Sequence, residues 1–223
     1  RARALADDNN VRAVVLRIDS PGGSALGSDL AWIALEELRR KKPVIVSVGE
    51  MAASGGYYLA SAGTEIFAEP ESILGSIGVV GGKVAFAKTL AKVGIHTASF
   101  GDPRASKLSS IIEPWDPDTR LRLTGLMTEI YDLFLRRIAE GRNRPRESFA
   151  AGVEGRVFGA ERAIELGLVD HLGGLGAALT AARLGLQTGG HDIANVNTQG
   201  YTRQRVLQSA SNPFTVGRGL QIG

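Results

Sequence analysis

The feature that most narrows what this chain can fold into is a pair of apolar runs with a helical stretch between them. Val11 to Asp19 (VRAVVLRID) is broken by Ser20-Pro21-Gly22-Gly23, and Val44 to Val48 (VIVSV) follows Pro43. Each run has the length and β-branched content of a buried strand and is bounded by turn residues. Between them Leu30, Ile33, Ala34 and Leu38 recur at helical spacing within residues 26–41. A strand, a helix and a second strand of these lengths make a right-handed βαβ unit with parallel strands. The chain is therefore expected to be α/β.

The alternation continues in looser form. Ala52 to Ser61 predicts a small-residue helix, Glu65 to Ala68 and Ser76 to Val80 predict short strands, and Ala85 to Val93 predicts a helix. Residues 118–141 carry Leu121, Leu126, Ile130, Leu133, Phe134 and Ile138 on one helical face. Ala160 to Leu166 predicts a helix and Leu168 to Asp170 a strand. Residues 100–119 are polar and contain Pro, and a loop of that length in a compact domain is usually functional or mobile. The opening Arg1-Ala2-Arg3-Ala4-Leu5 has no Met and reads like the middle of a helix. The chain is expected to be a fragment of something longer.

Composition excludes several classes of function. Of 223 residues 43% are apolar and 22% charged, enough for a real core. The net charge of +3 is spread along the chain. Its one basic block, Arg39-Arg40-Lys41-Lys42, closes a predicted helix, where cations suit the dipole, so no nucleic-acid partner is expected. There are no cysteines, and His96, His171 and His191 lie far apart. Disulfides and thiolate sites are excluded, and no metal or cofactor is expected. Residues 44–63 are the most apolar stretch but hold Glu50 and four Gly, which argues against a membrane span.

Two constellations carry chemistry. Asp19-Ser20-Pro21-Gly22-Gly23 ends one strand in a turn that exposes backbone amides. Met51-Ala52-Ala53-Ser54-Gly55-Gly56-Tyr57 follows the next strand and sets Ser54 among small residues. A nucleophile needs such room for a tetrahedral intermediate, with free amides beside it. Taken singly, each is also explained by a tight turn or a closely packed helix. Taken together they end neighbouring parallel strands at one sheet edge, where α/β folds place their sites. Gly22 N–H and Gly55 N–H would then converge on one substrate carbonyl.

IDSPGGS, SVGEMAASGGYYLA and LGSIGVVG, in that order and spacing, resemble the signal peptide peptidase A family of the Clp protease and crotonase superfamily. GRVFGAERAIELGLVDHLGG, residues 155–174, resembles the closing part of that domain. The resemblance runs from about residue 3 to about residue 178. It implies a Clp protease/crotonase-like fold and a serine peptidase with Ser54 as nucleophile. It also implies an oxyanion hole of Gly22 and Gly55 and a lysine as general base in place of a His–Asp pair. No His lies between Ser54 and His96, which agrees with a lysine base.

A lysine serves as base only when neutral, so its pKa must fall from about 10.4 by several units through burial. Ser76 matches the family's serine that helps hold the lysine amine. Lys107, in the loop before the long helix, matches the lysine of short family members. In long, two-half members the first half supplies the lysine and the second half the serine, and GIHTASFGD with the bare start at Arg1 resembles a second half. Both assignments stay open at this stage, while Lys83, Lys88 and Lys92 read as helix-surface charges. The resemblance further implies peptide substrates, homo-oligomers, and a bacterial envelope location. Membrane association would come only through parts outside this chain, which itself reads as soluble.

Residues 186–206, LQTGGHDIANVNTQGYTRQRV, resemble instead the N-terminal signature of flagellar rod and hook-associated proteins, with Gln199 in place of the usual Pro. The expected organisation is a peptidase-like domain over 1–178 and an axial-protein-like, weakly ordered segment over 179–223. The leading reading is a Ser/Lys endopeptidase acting on signal-peptide-like or other small apolar peptides through an acyl-enzyme. The alternatives are a catalytically incomplete half-domain serving binding or assembly, and another crotonase-type activity on acyl thioesters. Ser54 within AASGG argues against the last.

Overall fold

A computed structural model describes residues 1–95, 108, 110–194, 202, 214–216 and 219–221. The chain divides into two compact units, Arg1–Ile77 with Phe134–Gly223, and Gly78–Leu133. The first unit opens with α1 (Ala2–Asp7), β1 (Val14–Ser20), α2 (Ala25–Arg39), β2 (Val44–Ala53), α3 (Gly55–Ala60), β3 (Glu65–Ala68) and β4 (Ile73–Gly75). The second holds α4 (Ala87–Lys92) and the start of α5 (Pro117–Arg142). From Phe134 onward α5 belongs to the first unit, followed by α6 (Glu147–Val153), β5 (Val157–Gly159), α7 (Ala160–Glu165) and β6 (His171–Leu172). Last come α8 (Leu175–Ala194) and an antiparallel hairpin of β7 (Phe214–Val216) and β8 (Gly219–Gln221).

β2 is the axis of the sheet. β1 runs parallel to it on one side, from Val14↔Val44 to Ile18↔Val48 and again at Ser20↔Ala52. On the other side β2 changes neighbour. Its first half pairs with β3 (Ile45↔Glu65 to Val48↔Ala68), its second with β4 (Met51↔Ile73 to Ala53↔Gly75), both parallel. β6 adds parallel to β3, and β5 adds antiparallel to β4.

The sheet is covered on both faces, which is why β2 reads as a continuous apolar run. Val44, Val46 and Val48 are fully buried. Leu38 of α2 and Ala6 of α1 pack on Val44. Ala178 and Ala181 of α8 pack on Ile45 and Phe67. Each buried valine, leucine or isoleucine among these contributes about 1.5–3 kcal/mol on full burial. The basic block ties α1 to α2: Lys41 pairs with Asp7 at 2.7 Å, and Lys42 Nζ donates to the carbonyls of Leu5 and Asp8. Its cations thus serve a neighbouring helix end as well as their own.

Three predicted elements need correction. Ala52 and Ala53 belong to β2, not to a helix, because pairing with Ser20, Leu74 and Gly75 satisfies their backbone there. No strand spans Ser76 to Val80: β4 lies upstream at Ile73–Gly75, Ser76 turns out of the sheet at φ 49°, and Ile77 makes an isolated bridge to Glu154. The strand predicted at Leu168 to Asp170 is displaced to His171–Leu172, with Leu168 and Val169 buried in the turn before it.

In the second unit the segment before α5 is held by several bonds. Phe86 N–H and Ala87 N–H donate to the carbonyls of Ile111 and Ile112 at 3.1 and 2.9 Å. Lys83 Nζ donates to Ser110 O at 2.9 Å and lies 5.5 Å from the centre of the Trp115 ring. Trp115 Nε1 donates to Leu108 O at 3.1 Å. Among the described residues no helix is long and apolar enough to cross a membrane.

Candidate active site

Ser54 stands between β2 and α3, half-buried, with φ 50° and ψ −119°. A residue with a side chain pays about 1–3 kcal/mol for such a backbone, so the surroundings must hold it. They do so from both sides. Ser54 N–H donates to Gly75 O of β4 at 2.8 Å, and Ser54 O accepts from Tyr58 N–H at 2.9 Å. A sharp strand-to-helix turn of this kind presents a nucleophile on its outer side. Gly55 opens α3, so its N–H has no acceptor within the helix.

The Pro21-Gly22-Gly23 turn meets this serine closely. Gly22 has φ 117°, and a Cβ there would stand 2.8 Å from Ser54 Cβ and 3.0 Å from Gly55 N. A Cβ on Gly55 would stand 2.5 Å from Ser28 Oγ and 3.2 Å from Gly23 N, and one on Gly56 2.6 Å from Ser20 O. The glycines of both motifs are thus there for backbone approach. Gly22, Gly55 and Ser54, singled out from sequence, come together at one sheet edge. Gly22 N–H donates to Ser20 Oγ at 3.2 Å. Gly23 N, which sequence reasoning passed over, lies beside Gly55 as well. The signal for it was the second glycine of the pair, since a positive φ at the first redirects the amide that follows.

Ser76 takes the equivalent place on β4. Ala53 is in register with Gly75, so Ser54 and Ser76 follow neighbouring parallel strands at one level. Both have positive φ, 50° and 49°. Ser76 N–H donates to Arg156 O at 2.6 Å. Lys107 and His96 lie outside the described residues. The unit that carries Ser54 contains two lysines in its sequence, Lys41 and Lys42, and both are committed to α1.

Behind the serine, α3 is locked by two tyrosines. Tyr57 is fully buried and its hydroxyl donates to Leu168 O at 2.8 Å. Burial pushes this phenol above its ordinary pKa. Tyr58 stacks on Phe134 at 4.4 Å and donates to Asp29 Oδ1 at 2.9 Å. Burial first, and then that hydrogen bond, pushes the Tyr58 phenol up too. Asp29 Oδ1 also accepts from Arg137 Nε at 2.9 Å, and the Arg137 guanidinium lies 4.5 Å from the Trp32 ring centre. Trp32 Nε1 donates to Ser61 Oγ at 3.1 Å. The helix that begins at the candidate nucleophile is therefore held against α2 and the end of α5.

A mostly parallel sheet with its central strand shared between two neighbours, and a strained serine beside a Pro-Gly-Gly turn, defines a Clp protease/crotonase-like fold. The chain belongs to peptidase family S49, whose family description matches residues 36–188. It is 35% identical over 184 residues to serine protease SPPA, chloroplastic, of Arabidopsis thaliana, covering 82% of this chain and 27% of that protein. It is 35% identical over 184 residues to protease 4 of Haemophilus influenzae, covering 81% of this chain and 29% of that protein. To protease 4 of Salmonella typhi it is 33% identical over 176 residues, covering 78% and 28%. The chain thus spans less than a third of the length of each of these relatives. The axial-protein resemblance of residues 186–206 finds no support: the family match enters it, ending at residue 188, and α8 continues to Ala194.

Proposed function

We propose that this chain is the nucleophile-bearing domain of a serine endopeptidase that cleaves signal-peptide-like or other small apolar peptides. The observation that carries the reading is Ser54 itself: half-buried, at positive φ, on a sheet edge beside the Gly22-Gly23 turn and the first amide of α3. Ser54 Oγ attacks the scissile carbonyl and passes its proton to a neutral lysine amine. The oxyanion is received by Gly55 N–H and an amide of the Gly22-Gly23 turn. The lysine returns the proton to the leaving amine, and water then releases the acyl group from Ser54. Ser76 holds the lysine amine.

The base is Lys107 or a lysine from another half or subunit. A half-domain that binds or assembles without hydrolysis is the second reading. Further copies of the chain are its expected partners, and the bacterial envelope its location. Fluorophosphonate labelling of the parent, Ser54→Ala and Lys107→Ala tests this. Labelling lost in both variants supports a self-sufficient dyad. Loss only with Ser54→Ala moves the base to another half or subunit. A folded parent that does not label leaves the binding reading.

A further inference from the structure

Between two matched positions, β2 is longer than its neighbour. Ile18 faces Val48 and Ser20 faces Ala52, so Asp19 alone opposes Gly49, Glu50 and Met51. Such an excess leaves backbone groups without ladder partners, and inside a protein these must be satisfied in some other way. Two side chains do this here, one from each flank of β2. On the β1 side, Asp19 Oδ1 accepts from Met51 N–H at 3.2 Å. On the other flank, in the turn that joins β3 to β4, Ser72 Oγ donates to Gly49 O at 2.6 Å. Ser72 is 1% exposed and its own N–H donates to Glu69 O. Gly49 is fitted to this arrangement, since a Cβ there would stand 3.0 Å from Asp19 Oδ2.

The bulge is also where β2 exchanges β3 for β4. Upstream, Arg17 fastens the old register, donating to Ser47 Oγ at 2.9 Å and to Glu69 Oε1 at 3.0 Å. Downstream the new register runs three residues to Ala53, and Ser54 N–H then meets Gly75 O. How far the bulge advances β2 decides where Ser54 leaves the sheet.

We infer that Asp19 and Ser72 are positioning residues that act through the Gly49–Met51 bulge to set Ser54 against Gly22, Gly55 and Gly75. The inference rests on the reading of Ser54 as nucleophile. A displacement of about 1 Å at a reacting atom costs roughly 100-fold in rate, so small changes in the bulge are readable.

The test uses the full chain with Asp19→Ala, Asp19→Asn and Ser72→Ala. The readouts are the second-order rate of fluorophosphonate labelling, a thermal melt and amide hydrogen exchange across residues 50–58. Asp19→Asn keeps the acceptor oxygen, which a merely structural charge would not explain. The expected result is labelling slowed about 10- to 100-fold in both Ala variants and about 3-fold or less in Asp19→Asn. The melts stay cooperative, and the Met51 and Ser54 amides exchange faster only in the Ala variants. Ala variants that label at the parent's rate overturn the inference and leave the serine reading standing. A folded parent that does not label leaves the binding reading in place of hydrolysis by this chain. Exchange then decides the inference alone: faster exchange of Met51 and Ser54 in Asp19→Ala supports it, and unchanged exchange overturns it. Asp19 is exposed, so its variants decide the matter even if Ser72→Ala does not fold.

Discussion

Gly22→Ala and Gly23→Ala, made as a pair, give a sharp test of how the Pro-Gly-Gly turn meets Ser54. The two substitutions are chemically identical and adjacent in sequence, so their effects on the unfolded chain cancel in the comparison. In the folded chain they differ greatly. At Gly22 the backbone has φ 117°, and the new methyl would stand 2.8 Å from Ser54 Cβ, 3.0 Å from Gly55 N and 3.1 Å from Ala53 O. The strained backbone costs about 1–3 kcal/mol and the overpacking a further 1–3 kcal/mol or so, for a total of roughly 2–6 kcal/mol. At Gly23 φ is not positive and nothing lies within 4 Å of the methyl. The expected change there is within about 0.5 kcal/mol. With a urea slope of about 2 kcal/mol per M, Gly22→Ala lowers the unfolding midpoint by about 1–3 M and Gly23→Ala by less than about 0.3 M. Equal midpoints for the two variants would refute the close approach of this turn to the serine.

Two further outcomes follow from the site's geometry. Ser54→Gly relieves the positive φ and is expected to be about 1–2 kcal/mol more stable than Ser54→Ala in thermal or urea unfolding. Equal stability would mean that the turn holds no strain. Tyr57→Phe removes the buried bond to Leu168 O and is expected to cost about 1–3 kcal/mol. It also changes the pH dependence. The phenol of Tyr57 is raised in the folded chain, so its contribution is complete below the unfolded pKa of about 10 and is lost as pH rises above it. There the unfolded chain ionises while the folded chain keeps its proton. The parent then loses about 1.4 kcal/mol in all between about pH 9 and 11 through this group, a component missing from Tyr57→Phe in urea titrations over that range.

Elements supported by local pattern could be read without the structure. Glu65–Ala68 was legible because an apolar run sits between Gly63 and Pro70. The long helix was legible because its apolar residues keep helical spacing from Leu121 to Ile138. Ala52 and Ala53 misled because alanine favours a helix when nothing else decides, whereas here distant partners decide. Ile73-Leu74-Gly75 was passed over in favour of the longer apolar run after Ser76, since three residues carry little periodicity. At the site, Ser54, Gly22 and Gly55 could be singled out because each lies within two residues of the end of a readable strand. The bulge partners Asp19 and Ser72 could not, since nothing in sequence spacing says that β2 advances two residues further than β1. A lysine base has no local pattern of its own, and Lys107 lies outside the described residues.

The hydroxyl of Tyr57 finds its acceptor 111 positions further along the chain. The carboxylate of Asp170 holds Ile66 N–H across 104 positions, and Arg39 reaches Gly141 O across 102. At a synthesis rate of about 5–20 residues per second, the wait between making α3 and making its last anchor is roughly 6–22 s. Throughout that interval a nascent chain has α3 against α2, with Tyr58 beside Asp29, but the Tyr57 hydroxyl is without its acceptor. The turn at Ser54 draws its own bonds from residues up to Gly75, whereas the buried Tyr57 anchor of the helix behind it is completed only when the second half of the domain has been made.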